Sequence, residues 1–454
     1  MSTIAAISTG NIVSAIGVLR LSGEEALSVA DKVFRPLNGK KLSECPVRMM
    51  VLGSLLNRNG EVIDQCLAVT FAAGGSYTGE DSVEFHCHGS PVVLNEGLRA
   101  LFAAGAVQAG RGEFTKRAFL SGNLDLTQAE AVIDLIESES AEAARNAVEQ
   151  LGGSLRRKIE GVYDSLLNIS SQFYAVVDYP DEDIEDLGRE DIEQTLANAE
   201  KTLRELLATF KRGQVMRQGV PTAIVGRPNV GKSSLLNALL GYDRAIVTDV
   251  AGTTRDTIEE KAVVGGVLLR LIDTAGIRET EDTVERIGVE RSRSALKSAQ
   301  LILAVVDSSS ELNEEDLALL GEAAKCEKCI LVWSKSDLSD GPTSVVLKNA
   351  PASQVCVSAL TGEGLDELEC AVAELFPSGE VPAGLTLTNT RQAEAVERAA
   401  RAIGGALSAL RGGLTPDAVL TDAEGALNAL GELTGRTLRE DLVGRIFERF
   451  CVGK

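Results

Sequence analysis

"GRPNVGKS", Gly226 to Ser233, is the stretch that decides how the middle of the chain folds. It follows the apolar run Thr222 to Val225 and opens into "KSSLLNALL", a helical pattern. The spacing is G-x-x-x-x-G-K-[ST] in a strand, loop and helix context. Glycines in such a loop let backbone N–H groups crowd around phosphate oxygens at a helix N-terminus. Lys232 is placed to reach β- and γ-phosphates, and the Ser233 hydroxyl to ligate Mg²⁺. Asn229, Val230, Gly231 and Ser234 complete the expected contact set.

Four companions follow in order. "TDVAGTTRD" supplies Thr248, Asp249, Val250, Ala251, Gly252, Thr253 and Thr254, a Gly-Thr-Thr loop suited to a first switch. Thr254 is expected to complete the Mg²⁺ shell beside the γ-phosphate. Asp273, Thr274, Ala275 and Gly276 end a strand; Asp273 is expected near Mg²⁺ and the Gly276 N–H against the γ-phosphate. Ser334, Lys335, Ser336 and Asp337 form a base-reading motif, in which Asp337 accepts from the two edge donors that guanine presents together and adenine does not. Ser358, Ala359 and Leu360 match a small loop that offers backbone N–H to the guanine oxygen. The set resembles the translation-factor-related GTPases.

Two positions depart from that pattern. Ser334 stands where the guanine motif usually begins with Asn. The shorter side chain forgoes one or two hydrogen bonds of about 1 kcal/mol each, which weakens affinity and leaves base identity to Asp337. Ile277 occupies the place of the water-orienting Gln of Ras-like proteins and cannot orient water. Glu285, in "EDTVERIGVER", is the acidic candidate for that task, against its reading as a solvated helix charge. A monovalent cation on the phosphates can supply the positive charge for which the sequence identifies no arginine finger.

Outward from this centre, 454 residues imply two to four domains. A formal net charge of −21 repels phosphate backbones, so a nucleic-acid substrate needs a local basic patch or a basic partner. "LRRK" at 155–158 and "FKRGQVMR" at 210–217 are basic stretches of that kind, each also readable as ordinary surface. Eight scattered cysteines make no disulfide framework and fit a reducing cytoplasm. No apolar run has the length of a membrane helix, and the first residues lack the basic start of a signal peptide.

Three textures alternate. Residues 1–118 mix short strand-like runs with turns: "IGVLRLSG", "CLAVTFAAGG" and "SVEFHCHGS" read as strands. Residues 119–218 are helical, with "LTQAEAVIDLIESESAEAARNAVEQL" carrying apolar positions at helical spacing, and "DYPDEDIED" reads as a solvated loop. Residues 219–378 alternate strands and helices as in a parallel α/β domain, and 379–454 return to helix. The fold class is therefore multidomain α/β plus α, with an α+β N-terminal domain and a Ras-like phosphate-loop domain inserted into a helical one.

"GRPNVGKSS", "IVTDVAGTTRD", "DTAGIRETEDTVERIGVERS", "GEFTKRAFLSGNLDLTQAEAVIDLI" and the terminal "FCVGK" together resemble the bacterial tRNA-modification GTPases of the MnmE (TrmE) family over essentially the full chain. The resemblance implies a folate-binding and dimerising domain over 1–118, helical segments over 119–218 and 379–454, and an inserted G domain over 219–378. It implies a cytoplasmic homodimer that works with MnmG, a flavin- and NADH-using partner. Together they modify carbon 5 of the wobble uridine of certain tRNAs, adding an aminomethyl or carboxymethylaminomethyl group. The one-carbon unit comes from a 5-formyl- or methylene-tetrahydrofolate, and GTP hydrolysis is required. Carried over residue by residue, Asn229, Thr248, the Val250 carbonyl and Thr253 hold K⁺; Ser233 and Thr254 hold Mg²⁺; Glu285 organises water. Arg20, Glu84 and Lys454 contact folate, and Asn123 stands where the family often has a basic residue. The alternative, of another class, is a non-modifying GTP switch for ribosome assembly or signalling. It accounts for 219–378 and leaves the folate-like motifs and terminal cysteine unexplained.

Other signals carry less. His86 and His88 lie on one strand face with Cys87 on the other, and with no third histidine no metal is expected there. Cys326-x-x-Cys329 is a lone pair read as incidental. Cys451 sits fourth from the end, but Gly453 and Lys454 do not make a prenylation box. Val443, Ile446, Phe447 and Phe450 predict an amphipathic helix that Gly453 ends, leaving Cys451 on an anchored tail as a functional thiol whose chemical step stays open.

Overall fold

The structure is a computed structural model and describes residues 2–178, 188–242, 260–272, 298–339, 353–376, 382–437, 446–447 and 450–453. By contact the chain divides into two compact units. The first holds Met1–Ile133, Leu151–Thr195 and Gly405–Lys454; the second holds Asp134–Gln150 and Leu196–Gly404.

The first unit opens with strands β1 (Ile4–Ile7) and β2 (Ile16–Ser22), helix α1 (Ala26–Val33), and strands β3 (Phe34–Pro36), β4 (Val51–Leu56), β5 (Val62–Phe71) and β6 (Ser82–His88). Helix α2 (Pro91–Ala104) and strand β7 (Val107–Gln108) follow. The sheet order is β3-β4-β5-β6-β2-β1-β7. The three runs expected to be strands are β2, β5 and β6. Alternation decides their faces: Leu19, Leu21, Val83, Phe85 and Cys87 enter the core with Val29, Leu94 and Leu101 of the two helices. Arg20 and Glu84 therefore share the opposite face, paired directly across β2 and β6.

Helices α3 (Glu113–Leu120), α4 (Leu126–Ile136), α5 (Ala141–Leu151), α6 (Ser154–Asp178), α7 (Arg189–Ala208) and α8 (Phe210–Gln218) follow. The run that reads as one helical stretch from 126 to 151 is two helices. Ser138 Oγ turns back to the Leu135 carbonyl at 2.7 Å, and Ser140 Oγ accepts from Ala143 N at 3.2 Å. These serines satisfy the backbone groups that a continuous helix would have paired.

The second unit contains β8 (Val220–Val225), α9 (Lys232–Tyr242), β9 (Glu260–Val264), β10 (Val267–Leu271), β11 (Leu301–Asp307), α10 (Glu314–Ala323), β12 (Cys329–Ser334), β13 (Ser353–Val357) and α11 (Leu365–Leu375). Its sheet order is β13-β12-β11-β8-β10-β9, parallel throughout except for the β9–β10 hairpin. Both faces are covered. On β11, Leu301, Leu303 and Val305 enter one apolar cluster, and Ile302, Ala304 and Val306 enter another. Strand β8 lies between β10 and β11, where the order of connection reverses, so the loop after it opens at the position where α/β sheets bind ligands.

Helix α12 (Thr390–Arg411) precedes α13 (Pro416–Thr434), which packs on α6 within the first unit. Phe447 and Phe450 are buried with Leu126, Ala129 and Ile133 of α4, which is the face expected of the terminal segment. Val443 lies outside the described residues. The role expected of Gly453 is corrected: Val452 pairs with Arg111 in an antiparallel bridge, so the chain has already left the helix before Gly453. Gly453 instead takes φ +99, and a Cβ there would lie 2.3 Å from the Ile7 carbonyl. Only glycine lets this tail approach β1 so closely.

Candidate functional site

The phosphate loop is built by β8, which carries the chain to Gly226, and by α9, whose N-terminus begins at Lys232. A Cβ at Gly226 would lie 2.4 Å from the Val305 carbonyl, so the loop leaves the sheet where only glycine fits. Asn229 takes φ 62, a left-handed conformation that Asn tolerates. Lys232 Nζ curls over the loop and donates to the Arg227 carbonyl at 2.6 Å; burial lowers its pKa. Arg227 Nε meets Asp316 Oδ1 at 2.6 Å. Asp316 also accepts from Asn313 N and donates its own N–H to Asn313 Oδ1, closing the capping box of α10. The sequence motif did not point to this anchor, although Asn313-x-x-Asp316 is a legible cap.

Two residues of the motif expected to read the base, Ser334 and Lys335, meet the same loop. Ser334 is buried, and its hydroxyl stands between the carbonyls of Val306, at 2.9 Å, and Val230. One proton can serve only one of them at a time. Ser334 therefore ties β12 to the phosphate loop and has no donor left for a base. Lys335, at φ 56, donates to the Asn229 carbonyl at 2.8 Å and to Asp307 Oδ2 at 2.6 Å. Partial burial works against the Asp307 charge, but hydrogen bonds from Lys335 and Ser309 outweigh it and hold the carboxyl below its usual range. Asp337 Oδ1 accepts from Ser358 Oγ at 2.6 Å, and Ser358 Oγ accepts from Thr361 N at 3.2 Å. Ser336 begins the short 3₁₀ turn that carries Asp337, while Ala359 and Leu360 follow Ser358 with Leu360 exposed. Thr248, Asp249, Val250, Ala251, Gly252, Thr253, Thr254, Asp273, Thr274, Ala275, Gly276 and Glu285 lie outside the described residues. Ser233 and Ser234 stand exposed on the first turn of α9.

In the first unit, Arg20 Nε and Nη2 reach Glu84 Oε1 at 2.9 and 2.8 Å. His86 Nε2 stands 3.4 Å from Glu84 Oε2. The Arg20 guanidinium lies 5.6 Å from the Phe114 ring and 5.8 Å from the Tyr77 ring. Tyr77 is tied to Thr115 at 3.0 Å, and burial raises its pKa. Asn123 Nδ2 donates to the Ser76 and Tyr77 carbonyls at 3.1 and 3.2 Å. The geometry thus gathers Arg20 and Glu84 with Tyr77, and Asn123 braces the loop carrying Tyr77. Sequence reasoning missed Tyr77 and His86. His86 is recoverable from the period of β6, which puts it on the Glu84 face.

A family model described as the GTP-binding protein TrmE N-terminus matches residues 3–123, and one described as the MnmE helical domain matches 126–451. A protein of Enterococcus faecalis named tRNA modification GTPase MnmE is 43% identical over 100% of this chain and 98% of its own. Proteins of the same name from Geobacillus thermodenitrificans and Clostridioides difficile are 43% and 40% identical, each over 100% of this chain and 99% of their own. The chain belongs to the MnmE family. The G domain of the T. maritima FeoB iron transporter aligns with 34% of the chain and 96% of its own at 30% identity and a TM-score of 0.26, too low to carry a conclusion.

In this chain the terminal tail is held through its own backbone carbonyls. Gly112 N donates to the Cys451 carbonyl at 3.1 Å, and Ser8 Oγ donates to the Gly453 carbonyl at 3.0 Å. Ser8 follows β1, the neighbour of the strand that carries Arg20. The Cys451 residue itself is exposed. Lys454 lies outside the described residues. Among the described residues, no helix is long and apolar enough to cross a membrane.

Proposed function

We propose that this chain is a GTP hydrolase acting in tRNA modification. The observation that carries the reading is the meeting of two loops at the sheet's switch point: Lys335 reaches the Asn229 carbonyl of the phosphate loop, while Asp337 is aimed by Ser358. A carboxylate so oriented matches the paired N–H donors of guanine, and Lys232 at the start of α9 matches the phosphates. Family membership over the whole chain adds the tRNA reaction.

The finer reading runs as follows. Residues 1–118 form a tetrahydrofolate-binding and dimerising domain, 119–218 and 379–454 a helical domain, and 219–378 an inserted G domain. Ser233 and Thr254 hold Mg²⁺; Asn229, Thr248, the Val250 carbonyl and Thr253 hold K⁺; Glu285 orients water. The cations supply positive charge to the phosphates during hydrolysis. The left-handed backbone of Asn229, fixed by Lys335 on its carbonyl, suits a ligand at the rim of the loop. Glu84 and Arg20 face a pterin as acceptor and donor, with Asn123 and Lys454 at its edge. The remaining acceptor capacity of Glu84 Oε2, which His86 approaches, fits a pterin N–H. A cytoplasmic homodimer working with MnmG would then modify carbon 5 of wobble uridine, with Cys451 near the folate.

Two measurements test this. Mass spectrometry of tRNA from cells lacking the protein should show loss of the wobble-uridine modification; unchanged uridines would remove the tRNA reading. Titration with 5-formyltetrahydrofolate should saturate, and Glu84→Ala should abolish binding. Absence of binding by the unaltered protein would leave a GTPase without one-carbon chemistry.

A further inference from the structure

We propose that Asp64, Cys66 and Cys87 form a binding site for a thiophilic divalent cation such as Zn²⁺, with His88 positioning Asp64. The site lies in the N-terminal sheet and is independent of the nucleotide and folate readings. Leu67 pairs with His86 across β5 and β6, so Cys66 and Cys87 stand opposite each other on the helix-covered face. Asp64 lies two residues from Cys66 and therefore on the same face. The pairing of β4 with β5 shifts register between Leu55 and Leu56, opposite Asp64 and Val62. Such a bulge re-aims the side chain at the end of a strand.

The ligand atoms of the three residues lie within 4.8 Å of one another. A tetrahedral zinc site with Zn–S of about 2.3 Å has edges of roughly 3.8 Å, so side-chain rotations of under about 1 Å close the set. Two sulfurs with one carboxylate oxygen suit Zn²⁺ or Cd²⁺ over Mg²⁺ or Ca²⁺, which demand oxygen alone. Three protein ligands leave one tetrahedral position for a water or another exchangeable ligand.

His88 supplies the outer support. Its Nδ1 lies 2.8 Å from Asp64 Oδ1, and its backbone N–H donates to Asp64 Oδ2 at 2.9 Å. Histidine–carboxylate pairing of this kind fixes the orientation of a ligating group. The Cys66 thiol and burial together hold the Cys87 proton far more tightly than in a free cysteine. Thiolate, not thiol, is the ligand, so binding releases one proton from each sulfur as each metal–sulfur bond forms. Reading β6 alone gives two histidines on one face. The register instead brings Cys87, from the other face, to a second strand's Asp64 and Cys66.

Co²⁺ titration of the reduced, metal-stripped full chain tests the site. The expected result is a near-ultraviolet thiolate-to-cobalt band that saturates at one ion per chain and is displaced by Zn²⁺. Cys66→Ala and Cys87→Ala should abolish the band, and Cys326→Ser should leave it unchanged. Asp64→Asn leaves both core thiols in place and should weaken binding; His88→Ala should weaken it about tenfold. Oxygen-only binding of Co²⁺ near the nucleotide gives no thiolate band and does not interfere. A protein with no band at saturating Co²⁺ overturns the proposal. So does a band that survives Cys66→Ala or disappears in Cys326→Ser.

Discussion

Asp337 Oδ1 accepts a hydrogen bond of 2.6 Å from Ser358 Oγ, which joins the base-reading turn after β12 to the loop after β13. This bond orients the carboxylate that we propose meets guanine. Asp337→Asn replaces an acceptor by an amide that donates. GTP affinity should fall by roughly 10² to 10⁴, since each charge-assisted bond contributes about 1.5–3 kcal/mol, while xanthosine triphosphate, with a carbonyl where guanine has an amino group, should gain. Calorimetric titration with both nucleotides reads the exchange. Equal loss for both would mean that Asp337 does not face the base.

Arg227 and Asp316 give a second prediction. Asp316 is 2% exposed and its partner about a quarter exposed, so the pair is neither a surface bridge nor a dry one. Removing Arg227 leaves the Asp316 carboxylate buried with only its cap bonds. Arg227→Ala should destabilise the second unit by roughly 1–3 kcal/mol, below the 3–5 kcal/mol of a fully buried pair. GTP KM should rise more than kcat falls, because the loop's position is loosened while the hydrolytic groups stay. Thermal unfolding and steady-state hydrolysis check the two parts, and unchanged values in both would show that the pair does not hold the loop.

The cation reading is tested in salt exchange. If Asn229 helps hold K⁺, hydrolysis should slow by about tenfold or more when Na⁺ replaces K⁺ at constant ionic strength, the loss expected when a charge-stabilising group leaves a transition state. Equal rates in both salts would exclude a K⁺-assisted step. Asn229→Ala should abolish the difference and lower the K⁺ rate toward the Na⁺ rate.

The terminal tail yields the fourth. Cys451 is exposed while its backbone is pinned by Gly112, so Cys451→Ser should change neither stability nor GTP turnover. Modification of tRNA by the same variant should be lost. Full modification would make the cysteine a surface residue. Gly453→Ala is the contrasting variant: at φ +99 and against the Ile7 carbonyl it should displace the tail itself. Protease sensitivity of the last residues would report that displacement.

Much of the candidate site was legible because its chemistry is local. "GRPNVGKS" has the glycine spacing and following helix of a phosphate loop, and the proposed base contact of Asp337 needs only one side chain. The period of two in "SVEFHCHGS" was enough to place His86 and His88 on one face and Cys87 on the other. Residues separated by tens or hundreds of positions were another matter. No local pattern reveals that Arg20 lies across from Glu84, that Asp316 holds Arg227, or that Ser334 spends its hydroxyl on backbone carbonyls. Nor does the helical period between 126 and 151 show its interruption, since Ser138 and Ser140 fit a helix until their hydroxyls find the backbone. Spacing along the chain determined the motifs, the element types and the terminal apolar face. Strand register and the folding back of the tail onto β1 decided which of those residues meet, because pairing across strands is set by the burial of a whole face and not by any single residue.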